Sequence, residues 1–235
     1  MSFSFDAGSY RYPSRRRVVF AGNGMVCASQ PLAAQAGVDA LRRGGNAVDA
    51  VLAAALRDYP VGGFLLSAGN MTSGEQLRAL TSALSSACAA APLVTVDEEG
   101  GRVARLMNTV GTTKLNSMYS YRSLGTQGAY DNAQTLAHDI AAYGFNTDFA
   151  PVADVWTNKR SNAIGDRAYS DDYDEAATLV SAAVHGFRDA GVICCLKHFP
   201  GHGDTSLDSH LTLPCVDKPR DELERMERLT VDLDQ

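Results

Sequence analysis

Two rhythms of apolar and polar positions alternate along the chain. Short apolar runs of strand length occur at 18–23 (VVFAGN), 62–68 (GGFLLSA), 92–97 (PLVTVD), 145–155 (FNTDFAPVADV) and 192–199 (VICCLKHF). Runs of this kind, bounded by Gly, Pro, Asn or Asp, predict strands buried in a sheet. Helical spacing fills the intervals. Residues 31–57 read as two alanine-rich helices around Gly44-Gly45, with Pro31 at a start position. Residues 73–90 form an amphipathic helix capped by Ser73 with Gln76 three positions on. Further helices are predicted over 132–144, ending on Gly144, and over 174–191, while EEGGRVARL (98–106) opens as a glycine-rich turn.

Strand, loop, helix, strand is the order of βα units in a parallel sheet, so the fold class is α/β. Polar residues recur at the carboxyl ends of the successive strands: Asp97, Asp148, Asp154, Lys197 and His198. That placement favours a (β/α)8 TIM-type barrel over a doubly wound sheet, because barrels assemble their sites at that face. No G-x-G-x-x-G follows a strand, which argues against a dinucleotide site. The strand count reaches roughly five of the eight that a closed barrel requires, so the expectation is a partial or truncated barrel. Its last strand, 192–199, would then face an unpaired side, and a homo-oligomer, most simply a two-fold dimer, is expected to cover it.

With 235 residues, 45% of them hydrophobic, the chain suits one packed domain. A net charge of −6 and a pI near 5.3 argue against nucleic acid or a membrane surface as partner. No apolar run is long enough for a spanning helix. The opening MSFSFDAGSYRYPSRRR lacks the order of a secretory signal and reads as a flexible arm. The five cysteines (Cys27, Cys88, Cys194, Cys195, Cys215) include no C-x-x-C pair and are taken as reduced thiols of a cytoplasmic protein. The neighbours Cys194 and Cys195 are expected in the core.

Ionisable residues concentrate in KHFPGHGDTSLDSHLTLP, 197–214. His198, His202, Asp204, Asp208 and His210 are ligand types that zinc accepts. Their spacing is not that of a helical H-E-x-x-H, and the glycines suit a mobile loop better than a rigid ligand frame, so no metal and no cofactor is expected. His138 and His185 fall on helices as surface or packing residues. Asp204 reads as a turn stabiliser, and Asp148 and Asp154 as organisers of loop structure.

Four blocks carry a family resemblance: YPVGGFLLSAGN (59–70), VDEEGGRVARL (96–106), DFAPVADVWTNKRSNAIGDRAYSDD (148–172) and KHFPGHGDTSLDSHLTLP (197–214). From about residue 58 to 223 the chain resembles the N-terminal barrel of glycoside hydrolase family 3. Within that family it is most similar to the bacterial cytoplasmic β-N-acetylglucosaminidases. Glu98 stands where the family usually has glutamine. The resemblance implies exo-hydrolysis of terminal β-linked N-acetylglucosamine, with an N-acetylglucosamine-containing saccharide or glycoside as substrate. It further implies His210 as general acid/base, paired with Asp208 two positions before it, and Asp97, Arg105, Arg167, Lys197 and His198 as residues lining the sugar pocket. A carboxylate beside an imidazole orients it and favours its charged form.

The two ends do not follow the family. Residues 24–56 resemble the N-terminal segment of γ-glutamyltranspeptidases, with G-M-V-x-x-S-x-P-L-A and R-x-G-G-N-A-V-D-A signatures. Residues 1–57 are therefore expected as an arm and a segment completing the first βα unit, with the family-3-like partial barrel at 58–235. The transpeptidase nucleophile has no counterpart, and that activity is not expected. The family's nucleophilic aspartate, in a block resembling T-D-x-L-x-M, is apparently missing. Asp232 and Asp234 are the late carboxylates that could be supplied across a dimer interface. The alternative reading is a catalytically weak or inactive sugar-binding relic of the same barrel.

Overall fold

The computed structural model describes residues 61–205, apart from 89, 161 and 200, together with Pro219 and Asp221. The apolar runs become four short parallel strands: β1 (Gly63–Leu65), β2 (Leu93–Val96), and, beyond a small hairpin of β3 (Glu98–Gly100) and β4 (Val103–Ala104), β5 (Thr147–Asp148) and β6 (Ile193–Cys194). The parallel sheet has the order β1-β2-β5-β6, each strand beside the next in sequence. A doubly wound sheet would reverse direction at its centre; among the described strands there is no reversal. The register aligns Gly63 with Leu93, Thr95 with Thr147, and Asp148 with Cys194.

The helices follow from their patterning. Helix α1 (Gly74–Ala87) starts at Ser73, whose hydroxyl accepts the Gln76 N–H at 3.1 Å, and it buries Leu77, Leu80, Thr81 and Leu84 at helical spacing. The short α2 (Arg105–Thr109) follows the hairpin. Helix α3 (Gly125–Ala141) begins seven residues before the sequence pattern predicts. Its first turns, GTQGAYD, are polar and hold two glycines, which read locally as a loop. The buried face of Gly128, Ala129, Asn132 and Ala133 forms a helix there through packing rather than propensity. Helix α4 (Tyr173–Asp189) is capped by Asp172, which accepts the Glu175 N–H at 3.0 Å. No described helix is long and apolar enough to cross a membrane.

The predicted strand at 18–23 and helices at 31–57 lie outside the described residues. Two predicted elements shorten or change character. Strand 192–199 pairs only over Ile193–Cys194 and then through an isolated bridge from Lys197 to Val152. Pro151 offers no N–H, and the Cys195 N–H reaches both the Asp148 and Ala150 carbonyls, so the ladder breaks between the two pairings. The glycine-rich turn is a bulged hairpin, with Gly100 and Gly101 at φ 85° and 56°.

The two faces of the sheet differ. Val94 and Val96 are buried on one. On the other, Leu65, Leu93, Thr95, Thr147, Ile193 and Cys195 border an apolar depression of about 460 Å³. Cys194 is half-buried and Cys195 exposed, so the pair is not the sealed core element that the sequence suggests. Burial pushes the Cys194 thiol pKa up.

Candidate active site

The carboxyl ends of the parallel strands bring six charged or polar side chains together. Asp97 follows β2, Glu99 sits within β3, Asp154 lies in the loop after β5, Arg167 ends a short 3-10 turn (Gly165–Arg167), and Lys197 and His198 follow β6. The Lys197 ammonium donates to Asp97 Oδ1 at 2.7 Å and lies 2.6 Å from Glu99 Oε1. The Arg167 fork meets Glu99 with two parallel bonds of 2.8 Å, Nε to Oε2 and Nη2 to Oε1. Its Nη1 donates to the Ala163 carbonyl at 2.7 Å, and Nη2 lies 3.3 Å from His198 Nε2. Glu99 is the hub, with 1% of its side chain exposed.

The donors and acceptors left over define what this cluster can bind. An ammonium has three N–H donors and a guanidinium five. Two of the Lys197 donors face carboxylates, which leaves one. Arg167 directs one donor from Nε, two from Nη2 and one from Nη1 to protein atoms, which leaves a single Nη1 hydrogen. Asp97 Oδ2 has no partner among the described residues. The remaining capacity is therefore one acceptor flanked by single donors, on side chains 13% (Lys197), 14% (Arg167) and 31% (Asp97) exposed. A ligand carrying adjacent hydroxyls, each both donor and acceptor, suits that set.

Asp154 organises the opposite rim. Its Oδ2 accepts His198 Nδ1 at 2.6 Å and the His198 backbone N–H at 3.2 Å, while Oδ1 accepts the His202 N–H at 2.6 Å. The segment 201–205 lies along residues 155–158. The Asn158 side chain donates to the Asp204 carbonyl, and the Thr157 hydroxyl to the Asp204 carboxylate at 2.8 Å. Gly203 is obligatory here: a Cβ would lie 1.9 Å from the Val155 carbonyl oxygen. The His202 ring and the Thr205 hydroxyl close the turn.

Burial shapes the charges. Desolvation disfavours the Arg167 cation, but the hydrogen bonds and charge of Glu99 more than offset it and hold its pKa above the ordinary arginine value. Asp148 is fully buried beneath the site; Oδ1 accepts the Glu98 N–H at 3.0 Å and Oδ2 has no partner, so desolvation drives its pKa well above the usual carboxylate range. Glu98 is also raised by burial, partly countered by the Leu106 and Met107 N–H groups it caps at 2.7 and 3.1 Å.

Of the residues expected in a sugar pocket, Asp97, Arg167, Lys197 and His198 are brought into one network. Arg105 is not joined to it by any hydrogen bond or ion pair among the described residues; it sits at the start of α2, where its charge is felt by Glu98. Asp208 and His210 lie outside the described residues, as do Asp232 and Asp234. The turn role of Asp204 and the loop-organising roles of Asp148 and Asp154 match expectation. Glu99 was not singled out from the sequence; the signal available was a second acidic residue before Gly-Gly at a strand end. Among the described residues, no group of three or more His, Cys, Asp and Glu side chains is arranged to hold a metal ion.

Comparison with known proteins identifies the family. The glycosyl hydrolase family 3 N-terminal domain model matches residues 29–230. That span takes in most of 24–56, so the likeness of that segment to γ-glutamyltranspeptidases finds no support. Beta-hexosaminidase A of Pseudoalteromonas piscicida is 37% identical over 179 residues, 73% of this chain and 30% of that protein. The beta-hexosaminidase of Idiomarina loihiensis is 36% identical over 69% of this chain and 50% of its own length. Among solved structures, a family 3 β-N-acetylglucosaminidase from Paenibacillus sp. superposes with a TM-score of 0.69 at 34% identity, covering 77% of this chain and 34% of that one. NagZ from Neisseria gonorrhoeae, in complex with N-trifluoroacetyl-D-glucosamine, gives 0.66 at 32% identity, covering 72% and 52%. The chain spans between about a third and a half of the length of these relatives. On the span of the match and these identities, the chain belongs to the glycosyl hydrolase family 3 N-terminal domain family.

Proposed function

We propose that this chain carries the sugar-recognition half of a β-N-acetylglucosaminidase site, hydrolysing terminal β-linked N-acetylglucosamine. The observation that supports it most is the Asp97–Lys197–Glu99–Arg167–His198 network, whose unspent capacity suits adjacent sugar hydroxyls. The three carboxylates Asp97, Glu99 and Asp154 outnumber the cations Lys197 and Arg167, an excess of negative charge that favours an oxocarbenium-like transition state. The hexosaminidases it resembles, and the relative solved with an N-acylated glucosamine, support the N-acetylglucosamine assignment.

Cleavage needs a proton for the leaving oxygen and a carboxylate to trap or stabilise the sugar cation. His210, oriented by Asp208, gives the proton in this reading; it follows Thr205 by five positions in the sequence. The sequential parallel strands support a (β/α)8 barrel as the frame, of which the described strands are one arc. Turnover of a chromogenic N-acetyl-β-glucosaminide, with the corresponding β-glucoside as control, tests the reading; cleavage of neither, or of both equally, overturns it.

A second reading, sugar binding without turnover, is favoured by one observation: Asp97, Glu99, Arg167, Lys197 and His198 already form one connected network among the described residues. Calorimetric binding of N-acetylglucosamine without turnover is its signature. For the assembly we propose a homodimer that covers the apolar depression bordered by Leu65 and Ile193, which are 57% and 55% exposed. Light scattering at low micromolar concentration that gives the mass of a single chain refutes it.

A further inference from the structure

We infer that Asp154 is a positioning residue that fixes His198 as its Nδ1–H tautomer and, through the same carboxylate, holds the His202 backbone N–H at the start of the 201–205 turn. The step rests on the proposed glycosidase reading for its kinetic consequence, but not for its structural content.

His198 has each ring nitrogen committed to a group of one kind. Nδ1 lies 2.6 Å from Asp154 Oδ2, and Nε2 lies 3.3 Å from Arg167 Nη2. A guanidinium has only donors to offer, and the carboxylate of Asp154 faces Nδ1 as an acceptor. The arrangement is satisfied in one way: Nδ1 carries the hydrogen and gives it to Asp154, and Nε2 turns its lone pair to Arg167. The reverse tautomer sets an imidazole N–H against a guanidinium N–H and a lone pair against a carboxylate, two repulsions in place of two bonds.

Asp154 can enforce this because it is itself immobilised. Its side chain is fully buried, and both oxygens are engaged by backbone N–H groups in addition to the ring. The two N–H groups belong to His198 and His202, four residues apart, so one carboxylate fixes both ends of the turn. Beyond it, Gly203 fits against the Val155 carbonyl and Thr157 holds Asp204. The chain that leaves this turn reaches Asp208 within four residues of Asp204. Asp154 therefore joins the residue that contacts Arg167 to the 201–205 turn. An uncharged amide cannot replace it: with one oxygen and one NH2, an asparagine meets either the His198 ring or the His202 N–H correctly, never both.

Two-bond ¹H–¹⁵N correlation spectra of the ring nitrogens read the tautomer directly, with the His198 signals assigned by their loss in His198→Gln. In the wild-type chain the expected pattern is a pyrrole-type Nδ1 and a pyridine-type Nε2. In Asp154→Ala the two shifts move toward the average of exchanging tautomers. On a chromogenic N-acetyl-β-glucosaminide, Asp154→Ala loses about 10–100-fold in turnover, the range typical of groups that orient a functional histidine. A wild-type His198 with pyrrole-type Nε2 overturns the inference, and so does a spectrum unchanged by Asp154→Ala. Should Asp154→Ala not fold, the wild-type spectrum alone still decides. Absence of any turnover in the wild type refutes the glycosidase reading and leaves the tautomer result standing.

Discussion

Glu99 and Arg167 meet through two parallel hydrogen bonds of 2.8 Å, 68 positions apart in sequence, with the Glu99 carboxylate almost wholly removed from solvent. The same carboxylate lies 2.6 Å from the Lys197 ammonium. One buried anion thus sets the positions of two cations that each keep one donor unspent among the described residues. Glu99→Gln keeps the shape and removes the charge. Losing one member of a buried ion cluster costs about 3 kcal/mol, so the melting temperature falls. The affinity for N-acetylglucosamine falls with it, by about tenfold or more. Calorimetry on the folded variant at low temperature checks the second effect; unchanged affinity removes Glu99 as the organiser of the site.

Gly203 tests how firmly the turn is seated. A methyl group there is forced into the Val155 carbonyl, and a shift of backbone is the only relief. Gly203→Ala is expected to cost about 1–3 kcal/mol, in the range of overpacked sites, and to lower turnover more than it lowers binding of the free sugar. The reason is that Asp97 and Glu99 lie on other segments and stay in place. Equal loss of both assigns Gly203 to general stability alone.

What could be read from the sequence divides along physical lines. Ser73 with Gln76 and the stripe Leu77, Leu80, Leu84 are local signals, and α1 forms where they predict. Asp97, Lys197 and His198 were legible because strand ends in parallel sheets face one rim, and Arg167 because the family resemblance supplied it. Glu99 was not, since its role depends on a partner 68 positions away and no local pattern separates it from Glu98. The structure does separate them: Glu98 caps α2 through the Leu106 and Met107 N–H groups, while its neighbour turns to the cations. The early start of α3 was hidden for a similar reason, because packing on Gly128 and Ala129 overrides two weak helix formers.

Asp148 gives a pH dependence with a defined sign. Its pKa in the folded chain is raised by burial above that of an unfolded aspartate. Between the two values the folded state binds the proton that the unfolded state has released, so stability is fully present below the unfolded pKa and is lost as pH rises through the folded one. Asp148→Asn keeps an acceptor for the Glu98 N–H and removes the titration. Urea unfolding at pH 5 and pH 8 is expected to show the variant gaining stability relative to wild type at the higher pH. Parallel pH dependences in the two proteins contradict a raised pKa for the buried Asp148.

The acid/base assignment predicts a leaving-group signature. His210→Ala cuts turnover by about 10²–10⁴-fold on an N-acetylglucosaminide with a poor leaving group. With a strongly acidic phenol as aglycone the loss shrinks, because the departing oxygen needs little protonation. Uniform loss across a series of aryl glycosides, at unchanged thermal stability, excludes His210 as the proton donor.

Arg105 and Arg167 separate binding from architecture. Both are expected by resemblance to line the sugar pocket, yet Arg167 is committed to Glu99, Ala163 and His198 while the Arg105 guanidinium forms no hydrogen bond or ion pair among the described residues. An arginine with its fork uncommitted forms its bonds when ligand arrives; one already engaged contributes a single further donor. Arg105→Ala should therefore leave the melting temperature within about 1–2 °C of wild type, since a partly exposed cation with no partner adds little to stability, and should raise KM by about tenfold or more. Arg167→Ala strips two hydrogen bonds from a buried carboxylate, so it lowers the melting temperature as well as the affinity. Paired thermal unfolding and Michaelis–Menten measurements distinguish the two patterns. An Arg105→Ala variant with unchanged KM takes Arg105 out of the pocket and leaves its charge with the α2 start, beside Glu98.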